Sequence, residues 1–167
     1  MKVIVALDQT DFAEHIVDAV ASSSWPPDTQ IKMLTVVEPL NWQSPCCVEW
    51  NKEATNALEK RKLVANEVAM QARQKIQKCF PQCMVHVEIR FGDPKEEIIT
   101  SATEWMADRI IIGAHGNAPN RFFRGSVARS VAQHCGCSVQ LIRLKKECNN
   151  DHETKSKPQK SKIAVVS

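Results

Sequence analysis

The sequence predicts an α/β protein built on a five-stranded parallel sheet. Short apolar segments with many β-branched residues alternate along the chain with longer segments in which apolar residues recur at helical spacing. Strands separated by helices in this way pair in parallel, through right-handed crossover connections. The length of 167 residues fits one domain with a sizeable core.

Nine elements follow one another in this pattern. Strands are predicted where apolar residues are contiguous or alternate, over residues 2–7, 31–37, 84–91, 108–112 and 137–143. Helices are predicted where apolar residues recur every three or four positions, over residues 13–22, 53–78, 95–106 and 127–134. Residues 39–50 contain two Trp and two Pro and are predicted to form a loop.

Local signals set the helix boundaries. Thr10 or Asp11 can cap the first helix, and the sequence Trp-Pro-Pro-Asp over residues 25–28 ends it. The third helix starts just after Pro94, because Pro is favoured in the first helical turn. The long second helix carries an apolar stripe that we interpret as the face packed on the sheet: Ala54, Ala57, Leu58, Val64, Val68, Ala72 and Ile76.

Charge divides the chain into a neutral part and a basic tail. The net charge is +3, and from Lys145 onward six Lys stand against three acidic residues, which accounts for the whole excess. A neutral domain lacks the basic surface that nucleic-acid-binding proteins use. We therefore predict one domain over residues 1–144 and a disordered, Lys-rich tail over residues 145–167. The short apolar end of the tail, residues 163–166, is either unstructured or docked on the domain.

The sequence also favours a cytoplasmic protein without a membrane partner. No apolar run approaches the roughly 20 residues that a membrane-spanning helix needs. The chain starts directly with a strand and not with a cationic and then apolar signal segment. Hydrophobic residues make up 43% of the sequence and charged residues 25%, as in ordinary globular proteins.

Cysteine usage argues against a disulfide scaffold. The sequence has seven cysteines, an odd number, and no secretion signal: Cys46, Cys47, Cys79, Cys83, Cys135, Cys137 and Cys148. The spacings Cys79-x3-Cys83 and Cys135-x-Cys137 raise the alternative of a thiolate metal site. We favour small buried or incidental thiols, because no second matched pair accompanies either spacing.

The most informative motif is a glycine-rich loop between a strand and a helix. Gly113 and Gly116 follow the buried strand 108–112, and Gly125-Ser126 opens the helix that follows. Glycines let the backbone approach a phosphate closely, and the free N–H groups of a first helical turn point at it. The motif lacks the Lys of the NTPase phosphate loop and the Gly-x-Gly-x-x-Gly spacing of dinucleotide-binding proteins. It therefore predicts a phosphate or nucleotide site of a different type.

This motif resembles that of the universal stress protein family, whose ATP-binding members carry Gly-x2-Gly-x9-Gly-Ser/Thr at this place. The resemblance extends over roughly residues 1–144. It includes the segments 3–8 and 34–39, the turn Gly92-Asp93-Pro94 with Glu96-Glu97-Ile98 after it, and the segment 137–143. One departure is that eight residues, and not nine, separate Gly116 from Gly125.

The resemblance implies a Rossmann-like sheet of strand order 3-2-1-4-5 with helices on both faces. In such sheets the ligand lies at the carboxyl ends of the strands, where the strand order reverses. Here the reversal falls between the first and fourth strands. Asp8 and Gly113 end these two strands and are therefore expected side by side.

For the phosphates, the resemblance implies contacts with the glycine loop and with the start of the following helix. Gly113 and Gly116 would make the close backbone approach. Gly125 and Ser126 begin the helix, with Ser126 expected as its N-cap and, in the presence of nucleotide, as a hydroxyl donor to phosphate. The backbone of Val127 lines the same site.

For the nucleoside, the resemblance implies contacts with the first two strands. Ala6 and Leu7 would pass under the ribose and base, and the backbone of Val36 would face the adenine ring. Asp8 has three candidate roles: a contact with the nucleoside, a ligand of Mg²⁺ beside the phosphates, or a cap of the turn that follows.

Three further charged or titratable residues lie in the loop. We interpret His115 as a loop histidine without chemical function, because no partner residue completes a catalytic pair with it. Arg121 and Arg124 flank the end of the loop. Arg124 is either a phosphate contact or a surface residue, and we keep it among the candidate ligand-binding residues.

The sequence thus predicts an ATP-binding or other adenine-nucleotide-binding sensor or regulator. The expected assembly is a homodimer through the edge of the last strand, with Val139, Leu141 and Arg143 on one side. No catalytic set is evident, so any ATP hydrolysis is expected to be slow. Two alternatives remain open: an interaction module of the same fold that binds no nucleotide, and a small enzyme that uses a nucleotide or flavin.

Overall fold

A computed structural model describes residues 1–8, 12–38, 52–114 and 125–143, and of residues 52–55 it describes the backbone alone. Several predictions fall outside these ranges. They are the cap at Thr10 or Asp11, the loop 39–50, the tail 145–167, and the loop residues His115, Gly116, Arg121 and Arg124.

The described residues form a parallel five-stranded sheet and four helices, as predicted. The strands are β1 (Lys2–Leu7), β2 (Gln30–Val37), β3 (Met84–Phe91), β4 (Arg109–Gly113) and β5 (Ser138–Ile142). The helices are α1 (Phe12–Ala21), α2 (Lys52–Cys79), α3 (Pro94–Trp105) and α4 (Ser126–His134). The strand order β3-β2-β1-β4-β5 confirms the expected reversal at β1 and β4.

Two hydrophobic clusters lie on the two faces of the sheet. Successive side chains of a strand point to opposite faces, so that Val3 and Val5 join one cluster and Ile4 joins the other. Helices α1 and α2 cover the first face, and α3 and α4 cover the second. The central strands are apolar on both sides because both of their faces are buried, which explains why their sequences are contiguous apolar runs.

The packing face of α2 differs in part from the predicted stripe. Its most buried residues in the second half are Ala65, Ala69, Ala72 and Ile76. Val64, which we placed on the packed face, is 40% exposed. Ala65 and Ala69 face the core, whereas Val64 was placed on the packed face because of its apolar character.

Ion pairs and hydrogen bonds attach α3 to β2 and β3. Lys32 Nζ and Arg90 Nε each lie 2.6 Å from an oxygen of the Glu88 carboxylate, and the Ser101 hydroxyl of α3 donates to it at 3.0 Å. Arg90 also pairs with Glu104 of α3. Partial burial alone would raise the pKa of Glu88, but the bonds from Lys32 and Arg90 outweigh it and lower this pKa.

At the amino end of the sheet, where the parallel strands begin, hydrogen bonds connect the chain segments. The backbone N–H of Lys2 donates to Asp108 Oδ2 at 2.6 Å, and the N–H of Asp108 donates to the Lys2 carbonyl at 2.9 Å. The indole N–H of Trp25, a residue only 7% exposed, donates to the Val20 carbonyl at 3.0 Å. This end is held together by reciprocal bonds and by a buried aromatic ring.

Candidate functional site

A cavity of about 390 Å³ opens at the carboxyl end of the sheet, where β1, β2 and β4 end. Its described lining residues come from these three strands and from all four helices: Ala6, Leu7, Asp8, Ile16, Leu34, Val36, Val37, Glu38, Arg61, Pro94, Ile98, Ile112, Gly113 and Val127. The volume lies within the roughly 300–1,000 Å³ range of small-molecule sites. The position is the point of strand-order reversal, where parallel α/β sheets bind ligands.

The structure brings most of the predicted site residues to this cavity. Those that line it are Ala6, Leu7, Asp8, Val36, Gly113 and Val127. Gly125 and Ser126 lie directly before Val127 at the start of α4. Gly116 and Arg124 belong to the segment outside the described residues. The geometry thus gathers six predicted residues from four elements, and whether they hold a nucleotide stays a prediction.

Gly125 brings the start of α4 close to the end of β4. Its φ is +89°, in the left-handed region, and a Cβ built on it would lie 3.4 Å from the Cα atom of Ala114. Only a residue without a side chain adopts this conformation readily at such a close approach. The first turn of α4 consequently begins beside Gly113, the last residue of β4.

Gly125, and not Ser126 as predicted, occupies the N-cap position of α4. Ser126 is the first residue of the helix itself. The reason is conformational, because the left-handed turn required before α4 suits glycine better than serine. Gly125 has no side chain with which to cap α4, and the N–H groups of a first helical turn, which lack partners within the helix, suit an anion.

The β3–α3 turn positions a second wall of the cavity. The N–H of Gly92 donates to the Val37 carbonyl at 3.2 Å, which attaches the turn to the end of β2. Asp93 caps α3, since its Oδ1 accepts from the N–H of Lys95 at 2.8 Å. These bonds fix the first turn of α3, from which Pro94 reaches the cavity.

Sequence reasoning missed the charged residue that α2 contributes. Arg61 lines the cavity, and its Nη1 donates to the backbone carbonyl of Glu38 at 3.3 Å. In the sequence Arg61 stands between Lys60 and Lys62 in a long polar helix, where nothing separates it from a solvated cation. Pro94 and Ile98 were also missed, although the Gly-Asp-Pro turn before them offered a signal.

Asp8 and Glu38 are the acidic residues among the described lining residues. Within the part of the chain that the structure describes, no group of three or more His, Cys, Asp or Glu side chains gathers in a metal-binding arrangement. A Mg²⁺ ion at Asp8 would therefore take further oxygen ligands from bound phosphates or water. The role of Asp8 as a metal ligand stays a prediction.

Comparisons with known proteins agree with this fold. The sequence model of the universal stress protein family matches residues 1–143. A universal stress protein from Synechocystis is 22% identical over 151 residues, which cover 84% of this chain and 96% of the relative. The solved universal stress protein UspA from Lactobacillus plantarum superimposes with a TM-score of 0.69 at 25% identity, over 86% of this chain and 97% of that one.

Three similar structures contain adenine nucleotides. A protein of the family from Arabidopsis thaliana with AMP bound has a TM-score of 0.55 at 18% identity, covering 90% of this chain and 97% of that one. The protein from Archaeoglobus fulgidus in complex with dAMP has a TM-score of 0.54 at 22% identity, covering 84% and 96%. A universal stress protein in complex with cAMP has a TM-score of 0.58 at 18% identity, covering 85% and 96%.

The fold and the cavity define an α/β protein with a cavity at the strand-order reversal. The chain belongs to the universal stress protein family, as the match over residues 1–143 shows. Among the described helices, none combines the length and the apolar character that crossing a membrane requires.

Proposed function

We propose that this protein binds an adenine nucleotide, ATP in particular, and acts as a nucleotide-dependent regulator of a stress response in the cytoplasm. The observation that carries the proposal is one continuous cavity. It joins the ends of β1 and β2 to the end of β4 and to the first turn of α4. The nucleotides named in three similar structures support the ligand class.

The chemistry of the lining suggests how a nucleotide would lie. The apolar lining that Ala6 and Val36 contribute suits the faces of a base and ribose. Gly113 and the start of α4 offer backbone N–H groups and a partial positive charge, which suit phosphates. Across the sheet, the end of β1 with Asp8 lies between the ends of β2 and β4, which contribute these two regions. A ribose hydroxyl or a phosphate-bound Mg²⁺ would therefore meet Asp8.

A regulatory role fits the lining better than rapid catalysis. The ionisable side chains among the described lining residues are Asp8, Glu38 and Arg61. The Arg61 guanidinium donates to a backbone carbonyl, and the described lining residues include no matched pair of nucleophile and base. We therefore propose that ATP is retained, with hydrolysis that is slow relative to ordinary ATPases.

We also propose a homodimer through β5. This strand lies at the edge of the described sheet and pairs with β4 alone, so that its outer backbone groups are available to a second strand. Val139 and Leu141 are partly buried against the core beneath α3 and α4, and Arg143 is exposed. The contact would therefore depend on the β5 backbone edge more than on these two apolar side chains.

Two measurements test nucleotide binding. The full-length protein is purified without added nucleotide, denatured, and the released small molecules are identified by mass spectrometry. Calorimetric titration with ATP then gives the affinity of the nucleotide-free protein. Retained adenine nucleotide, or titrated binding at millimolar or lower concentration, supports the proposal. The absence of both retained nucleotide and binding at millimolar ATP would overturn it.

A pair of glycine substitutions tests the location. Gly113→Val places a branched side chain at the end of β4 and should abolish ATP binding while the circular dichroism spectrum stays that of the parent. Gly136→Val is the matched control, because a Cβ at Gly136 meets no atom within 4 Å. Equal binding by the parent and by Gly113→Val would place the site elsewhere.

The number of phosphates provides a further test, at Arg124. We expect Arg124→Ala to weaken ATP more than AMP or adenosine, because only the outer phosphates would lie near the start of α4. The loop has one residue fewer than the family pattern, and Pro119 within it lacks a backbone donor. Loss of one or two such bonds costs about 1–3 kcal/mol, which an Arg contact can restore.

A second candidate function is an interaction module that binds no nucleotide. The shortened spacing between Gly116 and Gly125 favours it, because the loop then has fewer backbone donors for phosphate. The same two measurements separate the candidates, since a module of this kind would release no nucleotide and give no heat on titration with ATP.

A further inference from the structure

Two cysteine side chains meet at the turn between α4 and β5. Cys135 Sγ and Cys137 Sγ lie 3.5 Å apart, within the range of a sulfur hydrogen bond. Both residues are half-buried, and both pack against the cluster beneath α3 and α4. The turn lies at the amino end of the sheet, at the opposite end of α4 from the cavity.

The backbone of this turn allows the sulfurs to approach further. Cys135 ends α4 in an extended conformation, with its N–H donating to the Val131 carbonyl at 2.9 Å. Gly136 separates the two cysteines, and a Cβ built on it would have no neighbour within 4 Å. Gly136 therefore has the wide backbone conformational freedom of glycine, and no neighbouring atom restricts it.

The two thiols differ in their surroundings. Burial, followed by the contact with Cys135, raises the pKa of the Cys137 thiol to about 12. Cys137 therefore keeps its proton at neutral pH, and Cys135 is the thiol that is left to act as nucleophile.

We propose that Cys135 and Cys137 are a redox modification site that closes to an intramolecular disulfide when the protein meets hydrogen peroxide. In the first step the Cys135 thiolate attacks peroxide, the O–O bond breaks, and hydroxide leaves and takes up a proton from the solvent to become water. Cys135 is thereby oxidised to a sulfenic acid. In the second step Cys137 attacks that sulfur, the S–O bond breaks, and the hydroxyl leaves as water with the Cys137 proton.

Proximity decides the outcome of the two steps. The second step is intramolecular between sulfurs that already touch. The sulfenic acid is therefore captured before it oxidises further, and the product is reversible by thiols. The inference does not depend on nucleotide binding.

The sequence provides an internal control for the test. Trypsin cleaves after Arg129 and Arg143 and releases residues 130–143, which contain Cys135 and Cys137 and no other cysteine. Cleavage after Lys78 and Arg90 releases residues 79–90, which also contain two cysteines. In that second peptide Cys79 is exposed whereas Cys83 is 3% exposed in the core, so the fold does not present them as a pair.

In the experiment, the reduced full-length protein is treated with hydrogen peroxide, quenched, denatured, alkylated and digested. We expect peptide 130–143 to lose both alkylation sites and to be two hydrogens lighter than its reduced form. Peptide 79–90 should keep both alkylation sites, and dithiothreitol should restore alkylation of 130–143. Full alkylation of 130–143 after peroxide, or oxidation of both peptides to the same extent, would overturn the proposal.

Two serine variants test the assigned roles. In Cys137→Ser the sulfenic acid at Cys135 cannot be captured, so we expect a dimedone adduct on Cys135. In Cys135→Ser we expect Cys137 to remain an alkylatable thiol without an adduct. The opposite pattern, with an adduct on Cys137 alone, would contradict the assignment. Both substitutions replace sulfur by oxygen at a half-buried position, and circular dichroism verifies that the fold is retained.

Discussion

The two ends of the sheet differ in how the backbone groups of their connecting loops are paired. At both ends, loops connect strands to helices and leave backbone groups to be paired. At the amino end Lys2 and Asp108 bond reciprocally and Trp25 fills the corner. At the carboxyl end the strands stop at a cavity of about 390 Å³, and Gly125 supplies no side-chain cap to α4. In the described part of the chain, paired backbone groups characterise one end and an open cavity the other.

This contrast predicts that substitutions at the amino end change stability, whereas those at the carboxyl end change binding. The largest effect on stability is expected at Trp25. Replacement by Ala removes a buried ring and its hydrogen bond and should lower the free energy of unfolding by about 3–5 kcal/mol. Denaturant unfolding measures the loss, and calorimetry should find unchanged ATP affinity in the folded fraction. Trp25→Phe, which keeps a ring, is the control and should lose much less.

Gly125 lies at the carboxyl end, but its substitution should lower both stability and ATP affinity. Gly125→Ala places a Cβ in a left-handed conformation close to Ala114, and we expect a loss of about 1–2 kcal/mol in unfolding free energy. Relief of that contact would also shift the start of α4, so ATP affinity should fall as well. Gly136→Ala is the matched control and should change neither quantity. A stable Gly125→Ala variant with parental affinity would show that the contact with Ala114 is dispensable.

At Asp108 the expected change in stability is smaller. Asp108→Ala removes the acceptor of the Lys2 N–H bond at an exposed position, which costs about 1 kcal/mol. Asp108→Asn keeps an acceptor oxygen and should recover most of the loss. ATP affinity should not change in either variant. A change in affinity would mean that the two ends communicate through β1 or β4.

Substitution of Thr35 is expected to raise the stability of the protein. Its hydroxyl is buried near the end of β2 and has no hydrogen-bond partner among the described residues. Thr35→Val removes this unpaired group at nearly constant volume, so we expect the unfolding free energy to rise by about 1 kcal/mol. Thermal unfolding measures the gain. A loss of stability would mean that the hydroxyl is paired in solution.

Arg61 should affect binding with almost no effect on stability. Its side chain is exposed, so Arg61→Ala should change the unfolding free energy by less than about 0.5 kcal/mol. If the guanidinium contacts the ligand, ATP affinity should fall roughly tenfold, which corresponds to about 1.4 kcal/mol. Arg73→Ala on the same helix is the control, because Arg73 lies away from this cavity. Parental affinity in Arg61→Ala would remove Arg61 from the site.

Most of the sheet could be predicted from sequence for a simple physical reason. Strands buried on both faces must be apolar at successive positions, as in Ile110-Ile111-Ile112, and such runs are visible without a structure. The candidate site was predictable where it depends on strand ends and glycines, such as Asp8 and Gly113. These residues come near the same edge of the sheet because β1 pairs with β4, with Ala6 opposite Ile112.

What the sequence did not reveal depends on the rotation and packing of helices. Arg61 reaches the cavity because of how α2 lies on the sheet, and no local pattern encodes that orientation. The same applies to Val64, which is exposed although its apolar character predicted burial. The position of Ser126 was wrong by one residue, because the cap depends on a left-handed turn at Gly125 that a preference for serine does not capture.

The close approach of Gly125 to Ala114 has a consequence for how this loop can evolve. Because the segment 115–124 leaves and rejoins the fold at two points in contact, it is a closed loop whose ends the rest of the protein already holds. The entropy of closing such a loop grows only with the logarithm of its length, so one added residue costs about 0.1 kcal/mol. Loop length therefore carries almost no folding penalty, so insertions or deletions there would change any contact of the loop with a ligand more than they change stability.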